Sequence, residues 1–409
     1  MRPPAVGEDW LSVLVGGVLI AIVLAGARPS HPIQMAVQVL VPLAVGAAIL
    51  RLRLGRFLPG VVVISALAWL AQSAAELPVA ASWSLEYVIF ALGIGLIVNH
   101  TITVPAWFRE AVRTEYFIKT GLVVLGAGIL FDEIARAGLL GIAQALVVVL
   151  SVWTFSFWLA RRLRVDDEFA TMLSSAVAIC GVSAAIAACG AIRGDRKKLS
   201  YVTSLVLVVA MPMMVLMPWI AKVTGMADVV AGAWLGGTLD TSAAVVAGGE
   251  LISEAARDAA VVVKLSQNAL IGVAAFLLTI WWATKKGARG QGGEGEGGWD
   301  GGAAPRTSLA VIWDRFPKFV VGFLVASLVF SWLVDEATVA ATRGTLTAVR
   351  TTLFAMAFVS IGLETSLSSL VTTDEGRPAL AFLGGQAFNV LVTLVAAYVF
   401  FGGFLFAVP

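Results

Sequence analysis

The sequence predicts an all-α polytopic membrane protein, and three observations carry that reading. Of 409 residues, 59% are hydrophobic and 13% charged, whereas soluble domains are about 25% charged. Mean hydropathy is +0.92. The apolar runs recur at the length a ~30 Å hydrocarbon core demands of a helix. They are too long for barrel strands and do not alternate as those do.

Thirteen such segments run in order: 10–26, 35–50, 57–74, 84–103, 116–131, 138–160, 169–192, 199–221, 229–248, 259–284, 317–334, 345–368 and 378–406. The opening "MRPPAVGEDW" has no small-residue cleavage site after its first apolar run, so that run reads as a retained span. Residues 1–83 hold three segments that read as a peripheral addition. Residues 84–224 and 225–409 hold five each. Within the second group, 285–308 ("KKGARGQGGEGEGGWDGGAAPRTS") is Gly-rich and charged, the composition of a flexible linker.

Basic clusters set the orientation. Arg51, Arg53 and Arg56, then Arg109 and Arg113, then Arg161, Arg162 and Arg164, then Lys285, Lys286 and Arg289 all fall on one side if every segment crosses. Lys and Arg concentrate in cytoplasmic loops, which predicts a cytoplasmic N-terminus and an external C-terminus. "RGDRKK" (193–198) disagrees, because it would fall outside. A segment 169–192 that fails to cross would bring it inside. A second re-entrant segment, 229–248, would then be needed to keep the linker there.

The two groups of five match in three places. Leu92–Asn99 resembles Trp234–Asp240, Ile118–Gly126 resembles Val263–Gly272, and Ala178–Ala185 resembles Ser360–Ser366. An odd number of spans per unit inverts successive units, the inverted-repeat design of secondary transporters. Pairing "VVLGAGILFDEI" with "VSIGLETSLSSL" would shift the register and stays open.

Two segments read as discontinuous. In "VAICGVSAAIAACG" and "FVSIGLETSLSS", Gly meets Ser or Thr at mid-span. Unwound backbone at membrane depth is tolerated only where it is buried in protein or lines a cavity. "GGTLDTSAAVVAGG" (236–249) is a third weak spot.

The candidate site residues follow. Lys264, Gln267 and Asn268 share one helical face at i, i+3 and i+4. A deep lysine with polar companions either contacts an anion or snorkels. Lys119 carries the same choice nearer a segment end. Cys180, Gly181 and Ser183 mark the first break, as ligand-lining backbone or as helix packing. Thr241, Ser242 and Asn99 complete the substrate-binding set. Asp240 and Glu364 are deep carboxylates, either ion-paired (Asp240 with Lys264) or coupling H+ or Na+. Gln386 and Asn389 read as interhelical hydrogen-bond glue.

The chain offers no GxxxxGK[ST], no HExxH, no Ser/His pair and no soluble catalytic domain. Cys180 and Cys189 lie in apolar segments, and His31 and His100 are too few for a histidine metal centre. An enzyme is not expected, nor a cofactor. The expected partners are the lipid bilayer and a small anion, with a homodimer left open; nothing points to nucleic acid.

Together, "VRTEYFIKTGLVVLGAGILF", "AICGVSAAIAACGAI", "VAGAWLGGTLDTSAAVVAGG", "VVKLSQNALIG" and "FAMAFVSIGLETSL" resemble the bacterial sulfate exporter family of transporters, in its longer branch, over about residues 84–400. The resemblance implies a fold similar to the bile-acid symporter and sodium–proton antiporter type, with two inverted five-helix repeats and crossing discontinuous helices. It further implies export of sulfate or a related sulfur oxyanion across the bacterial inner membrane. Shorter members carry His-Asp-Thr where this chain has Leu239-Asp240-Thr241. The missing histidine argues against carrying over a protonation role for that position.

Overall fold

Two apolar segments enter the membrane and turn back. In the computed structural model, which describes residues 7–78, 80, 86–102, 105–288, 310–365 and 376–403, Asp166 caps a helix by accepting the Phe169 N–H at 3.0 Å. Lys198, near the start of a later helix, pairs with Asp166 at 2.9 Å and with Glu168 at 3.2 Å. Glu168 also accepts the Asp195 N–H. Both ends of the segment between them therefore lie at one face. Length and apolarity alone would make Asp167–Ile192 a crossing helix; the ion pairs at its base show that it returns. The second case is alike: Ser253 donates to Asp228 at 2.7 Å, tying together the two ends of residues 228–253.

The helices are α1 (Glu8–Leu24), α2 (Pro32–Ile49), α3 (Leu54–Ala75), α4 (Tyr87–Thr101), α5 (Thr114–Gly126) and α6 (Phe131–Arg162). The first hairpin is α7 (Asp167–Ser175), a π-turn (Ala176–Cys180) and α8 (Gly181–Ile192). Then α9 (Arg196–Val223) runs 28 residues, ~42 Å at helical rise, to the opposite face. The second hairpin, α10 (Asp228–Thr238) and α11 (Ser242–Glu250), enters from there. α12 (Glu254–Ala288), α13 (Lys318–Trp332), α14 (Glu336–Glu364) and α15 (Gly376–Phe401) follow. The described residues contain no strand. Most of the expected 285–308 linker lies outside the described residues.

The re-entrant pair removes the conflict over "RGDRKK". Residues 193–198 sit at the same face as Asp166 and Glu168, and the second hairpin leaves the end of α12 on that face too.

Packing sorts the helices into two bodies. One holds α1–α5, α13 and α14; the other holds α6–α12 and α15. They meet narrowly, chiefly where α11 touches α5 and α14 and where α6 touches α13, and also through an ion pair between Glu254 of α12 and Arg350 of α14. Each body takes helices from both 84–224 and 225–409. Within the first body the seam is close and apolar: a Cβ on Gly95 would lie 2.3 Å from the Val359 carbonyl, and Gly362 faces the Gly95 backbone. α1 is not peripheral, because Asp9 pairs with Lys119 of α5 at 2.8 Å.

The expected breaks need one correction. α14 runs as one helix through Gly362 to Glu364, so that glycine is a packing contact. The helix whose break meets the first one is 229–248. This also means that the match of Leu92–Asn99 to Trp234–Asp240 joins a single helix, α4, to one arm of a hairpin.

Candidate functional site

The two hairpin tips cross at Gly181 and Asp240. Gly181 has φ +22°, and a Cβ there would meet Val206 Cγ1 at 2.5 Å and the Asp240 carbonyl at 3.0 Å. Positive φ and close backbone approach both require glycine. At the second tip, Leu239 and Thr241 are extended, and Thr241 Oγ1 caps α11 by accepting the Ala244 N–H at 3.1 Å.

Unwinding frees carbonyls that lipid cannot satisfy. Buried side chains from α12 and α15 supply the donors. Lys264 Nζ donates to the Ile179 carbonyl at 2.7 Å and to Gln267 Oε1 at 2.9 Å. Gln267 Nε2 donates to the Ala178 carbonyl at 2.8 Å and the Gly237 carbonyl at 3.2 Å. Asn389 Nδ2 bridges the Val177 carbonyl at 3.1 Å and the Thr238 carbonyl at 3.3 Å. Gln386 Nε2 donates to the Thr238 carbonyl at 3.2 Å. Three side chains thus hold each broken turn, and two of the amides, Gln267 and Asn389, tie both tips together.

Lys264 is therefore a structural donor. It is 2% exposed, it does not line the cavity described below, and no ion pair within 4.0 Å joins it to Asp240 among the described residues. Gln267, 1% exposed, acts the same way. Both are expected from the sequence to touch substrate; in this structure both donate to the unwound backbone and lie outside the cavity wall. Gln386 and Asn389 do serve as glue.

A cavity of about 840 Å³ lies between the bodies, over the tips. The hairpin body contributes Cys180, Ser183, Asp240, Thr241, Ser242 and Asn268 to its wall. The other body contributes Glu8, Asp9, Arg113, Thr114, Lys119 and Glu364. Most of the expected site residues are thus brought together. Asn99 is not among them: its Nδ2 donates to the Thr365 carbonyl at 2.8 Å, within the first body. Lys119 lines the cavity, but its charge is taken by Asp9 at 2.8 Å and Glu115 at 3.3 Å. Glu364 accepts from Thr114 Oγ1 at 3.0 Å.

The buried tips have three further properties. The first turns of α8 and α11 end at the cavity, and the unused N–H groups of a helix start carry partial positive charge. Asp240 is 2% exposed, and its Oδ2 has no hydrogen-bond partner. Asn268 Nδ2 lies 3.4 Å from Ser242 Oγ, while its Oδ1 is without a partner.

Sequence reasoning missed Glu8, Asp9 and Arg315, which also line the cavity. The signal for the first two was an acidic pair at the start of the first apolar run. Arg315 gave none, since it stands beyond the linker.

The family model described as "Conserved hypothetical protein 698" matches residues 59–381. The chain belongs to this family. Among relatives, a UPF0324 membrane protein of Rhodopirellula baltica is 37% identical over 356 residues, covering 85% of this chain and 63% of the relative. A UPF0324 membrane protein of Nitratidesulfovibrio vulgaris is 36% identical over 371 residues, covering 88% of this chain and 62% of the relative. The UPF0324 inner membrane protein YeiH of Salmonella typhimurium is 23% identical over 358 residues, covering 82% and 94%. The chain spans about three fifths of the length of the first two. No solved structure matches the chain. With eight described helices apolar and long enough to be crossing candidates, this member of the Conserved hypothetical protein 698 family is a multi-pass membrane protein. The family match contains both hairpin tips and the whole of α12, whereas Glu8 and Asp9 precede it.

Proposed function

We propose that the protein is a secondary active transporter that moves a small anion by alternating access. The observation that carries this reading is the meeting of two re-entrant hairpin tips in a cavity of about 840 Å³ between two bodies. An unwound pair of half-helices at mid-membrane is costly to build and is found where a solute must be bound and released.

The anion preference follows from the donors. Two helix N-termini, each worth roughly half a positive charge, end at the cavity. Ser183, Thr241, Ser242 and Asn268 add neutral polar groups in the same wall. The hydroxyls and N–H groups suit an oxyanion. Sulfate, or another sulfur oxyanion, is the substrate favoured by the family resemblance, with export the favoured direction. Asp240 supplies the coupling step in this reading. Its carboxylate, whose Oδ2 has no hydrogen-bond partner among the described residues, lines the same cavity as the donors, so a proton on Asp240 would relieve competition with the anion. The basic loops favour a cavity mouth, beside Glu8 and Glu364, that faces the cytoplasm, in the inner membrane that the family resemblance implies.

A second reading is a proton- or sodium-coupled cation antiporter using Asp240 and Glu364. It is favoured by the balance of the cavity wall, in which Glu8, Asp9, Glu115, Asp240 and Glu364 face Arg109, Arg113, Lys119 and Arg315.

The test is flux in proteoliposomes, with radiolabelled sulfate, sulfite and thiosulfate offered under a pH gradient and under a sodium gradient. Saturable anion flux that is lost in Asp240→Asn supports the first reading. Proton or sodium movement that needs no anion, with no anion flux, replaces it with the second.

A further inference from the structure

On the face away from the cavity mouth, the two bodies are joined by charge. Arg257 of α12 is 2% exposed, and its guanidinium pairs with Glu250 at 3.0 Å, Glu254 at 3.4 Å and Asp258 at 2.7 Å. All four residues belong to the hairpin body. The same Glu254 oxygen also takes Arg350 Nη2 at 3.3 Å. Arg350 belongs to α14, in the other body. One carboxylate is thus shared by two guanidinium groups, one from each side of the seam.

The chemistry of this contact differs from that of the permanent seams. Within the first body, α4 and α14 are fused by glycine against backbone, a contact that cannot be partly undone. Between the bodies, the Glu254–Arg350 contact is a single ion pair, and the Glu254 side chain is 69% exposed. An ion pair with a partner in water contributes little net energy, because both ions rehydrate when it opens. Arg350, by contrast, is 6% exposed, its Nε has no partner among the described residues, and Glu254 pairs with its Nη2. Arg257 stays buried with three carboxylates and keeps Glu254 in place. The nine residues of α11 separate this cluster from the tips, ~13 Å at helical rise.

We propose that the Glu254–Arg350 pair is the gate on the face opposite the cavity mouth. It is closed while the cavity is open beside Glu8 and Glu364. It must break for the second hairpin to move away from α14 and for Asp240 to be reached from the other face. The inference rests on alternating access and adds the residues that close the second face.

The test is side-specific labelling. Ser183→Cys, in a Cys180→Ser and Cys189→Ser background, places one thiol in the cavity wall. A membrane-impermeant maleimide is applied to right-side-out and inside-out vesicles. In the parent, labelling is confined to the mouth face. In Glu254→Gln and in Arg350→Gln, labelling from the opposite face rises about fivefold, the population shift given by losing a pair worth up to ~1 kcal/mol. Arg350→Lys, which retains the charge, returns it most of the way. Unchanged opposite-face labelling in both neutral variants, with normal melting and elution profiles, overturns the gate. Anion binding, measured on the unsubstituted protein, separates the two claims: its absence there removes the anion reading, while the labelling shift stands by itself.

Discussion

Lys264→Met tests what a buried charge is for. The substitution keeps the length of the stem and removes three donors. Two acceptors lose their partner: the Ile179 carbonyl at 2.7 Å and Gln267 Oε1 at 2.9 Å. The first belongs to the tip of the first hairpin and the second to α12 itself, and both residues are buried. A buried acceptor left unmade costs about 1–3 kcal/mol. Two would cost about 2–6 kcal/mol, and relief from burying an ammonium offsets part of this. A net loss of about 2–4 kcal/mol remains, which for a chain of this length corresponds to a melting point lower by about 2–5 °C. The assay is melting of the purified protein in detergent, with and without sulfate. The unliganded protein should show the drop. A lysine that instead contacted the anion would leave the unliganded melting point alone and abolish the rise on adding sulfate. An unliganded melting point within about 1 °C of the parent, with the sulfate response gone, would refute the assignment of Lys264 to the backbone.

Three other expectations follow from the same geometry. Single cysteines at Arg164 and Lys197 should be labelled from the same side of the membrane, and cysteines at Met226 and Ser253 from the other; labelling of Arg164 and Lys197 from opposite sides would show that 167–192 crosses. Gly181→Ala should abolish flux and cost about 1–3 kcal/mol, since its Cβ would stand 2.5 Å from Val206 Cγ1 in a backbone region that side chains avoid; a variant with normal melting and flux would mean that the tips do not cross there. Burial alone would raise the Asp166 carboxyl, but hydrogen bonds from Lys198 Nζ and the Phe169 N–H outweigh it and hold the group below its ordinary value. A carboxyl held low stabilises the fold above its unfolded pKa, and that contribution fades as pH falls through the folded value, below about pH 4. Asp166→Asn, which still caps α7, should lose about 0.2–1 kcal/mol at pH 7 and show a smaller stability loss on acidification; an unchanged acid profile would remove Asp166 from the account.

Much of this architecture was legible in the chain. The class followed from hydropathy. The exception at Arg193–Lys198 was itself the signal of a hairpin, because a basic loop on the wrong side asks for a segment that does not cross. Gly181 and Asp240 were visible as breaks for the reason that they are breaks: small and polar residues inside apolar runs. What could not be read was which residues meet. Gly362 has the same local look as Gly181, yet it is a flat spot on an unbroken helix, packed on Gly95. A glycine that permits unwinding and one that permits close packing are identical one residue at a time. The bonds of Lys264 could not be read for a related reason. It donates to the carbonyl of Ile179, and a backbone acceptor has no letter in a sequence. The two bodies were hidden because each draws on both halves of the chain.

The broken turn of the first hairpin also fixes an order of events. Its carbonyls at Val177, Ala178 and Ile179 are made early in synthesis, yet their donors are Asn389, Gln267 and Lys264, separated from them by 212, 89 and 85 residues. Proteins are completed from the N-terminus at about 5–20 residues per second. For several seconds, then, a nascent chain carries an opened helix whose partners have not been made. Hydrocarbon will not accept those groups. The first hairpin must therefore wait at the watery edge of the membrane, or against another protein, until α12 emerges, and it can be finished only once α15 is in place. Truncations before Asn389 should be cleared as unassembled chains rather than accumulate as a smaller membrane protein.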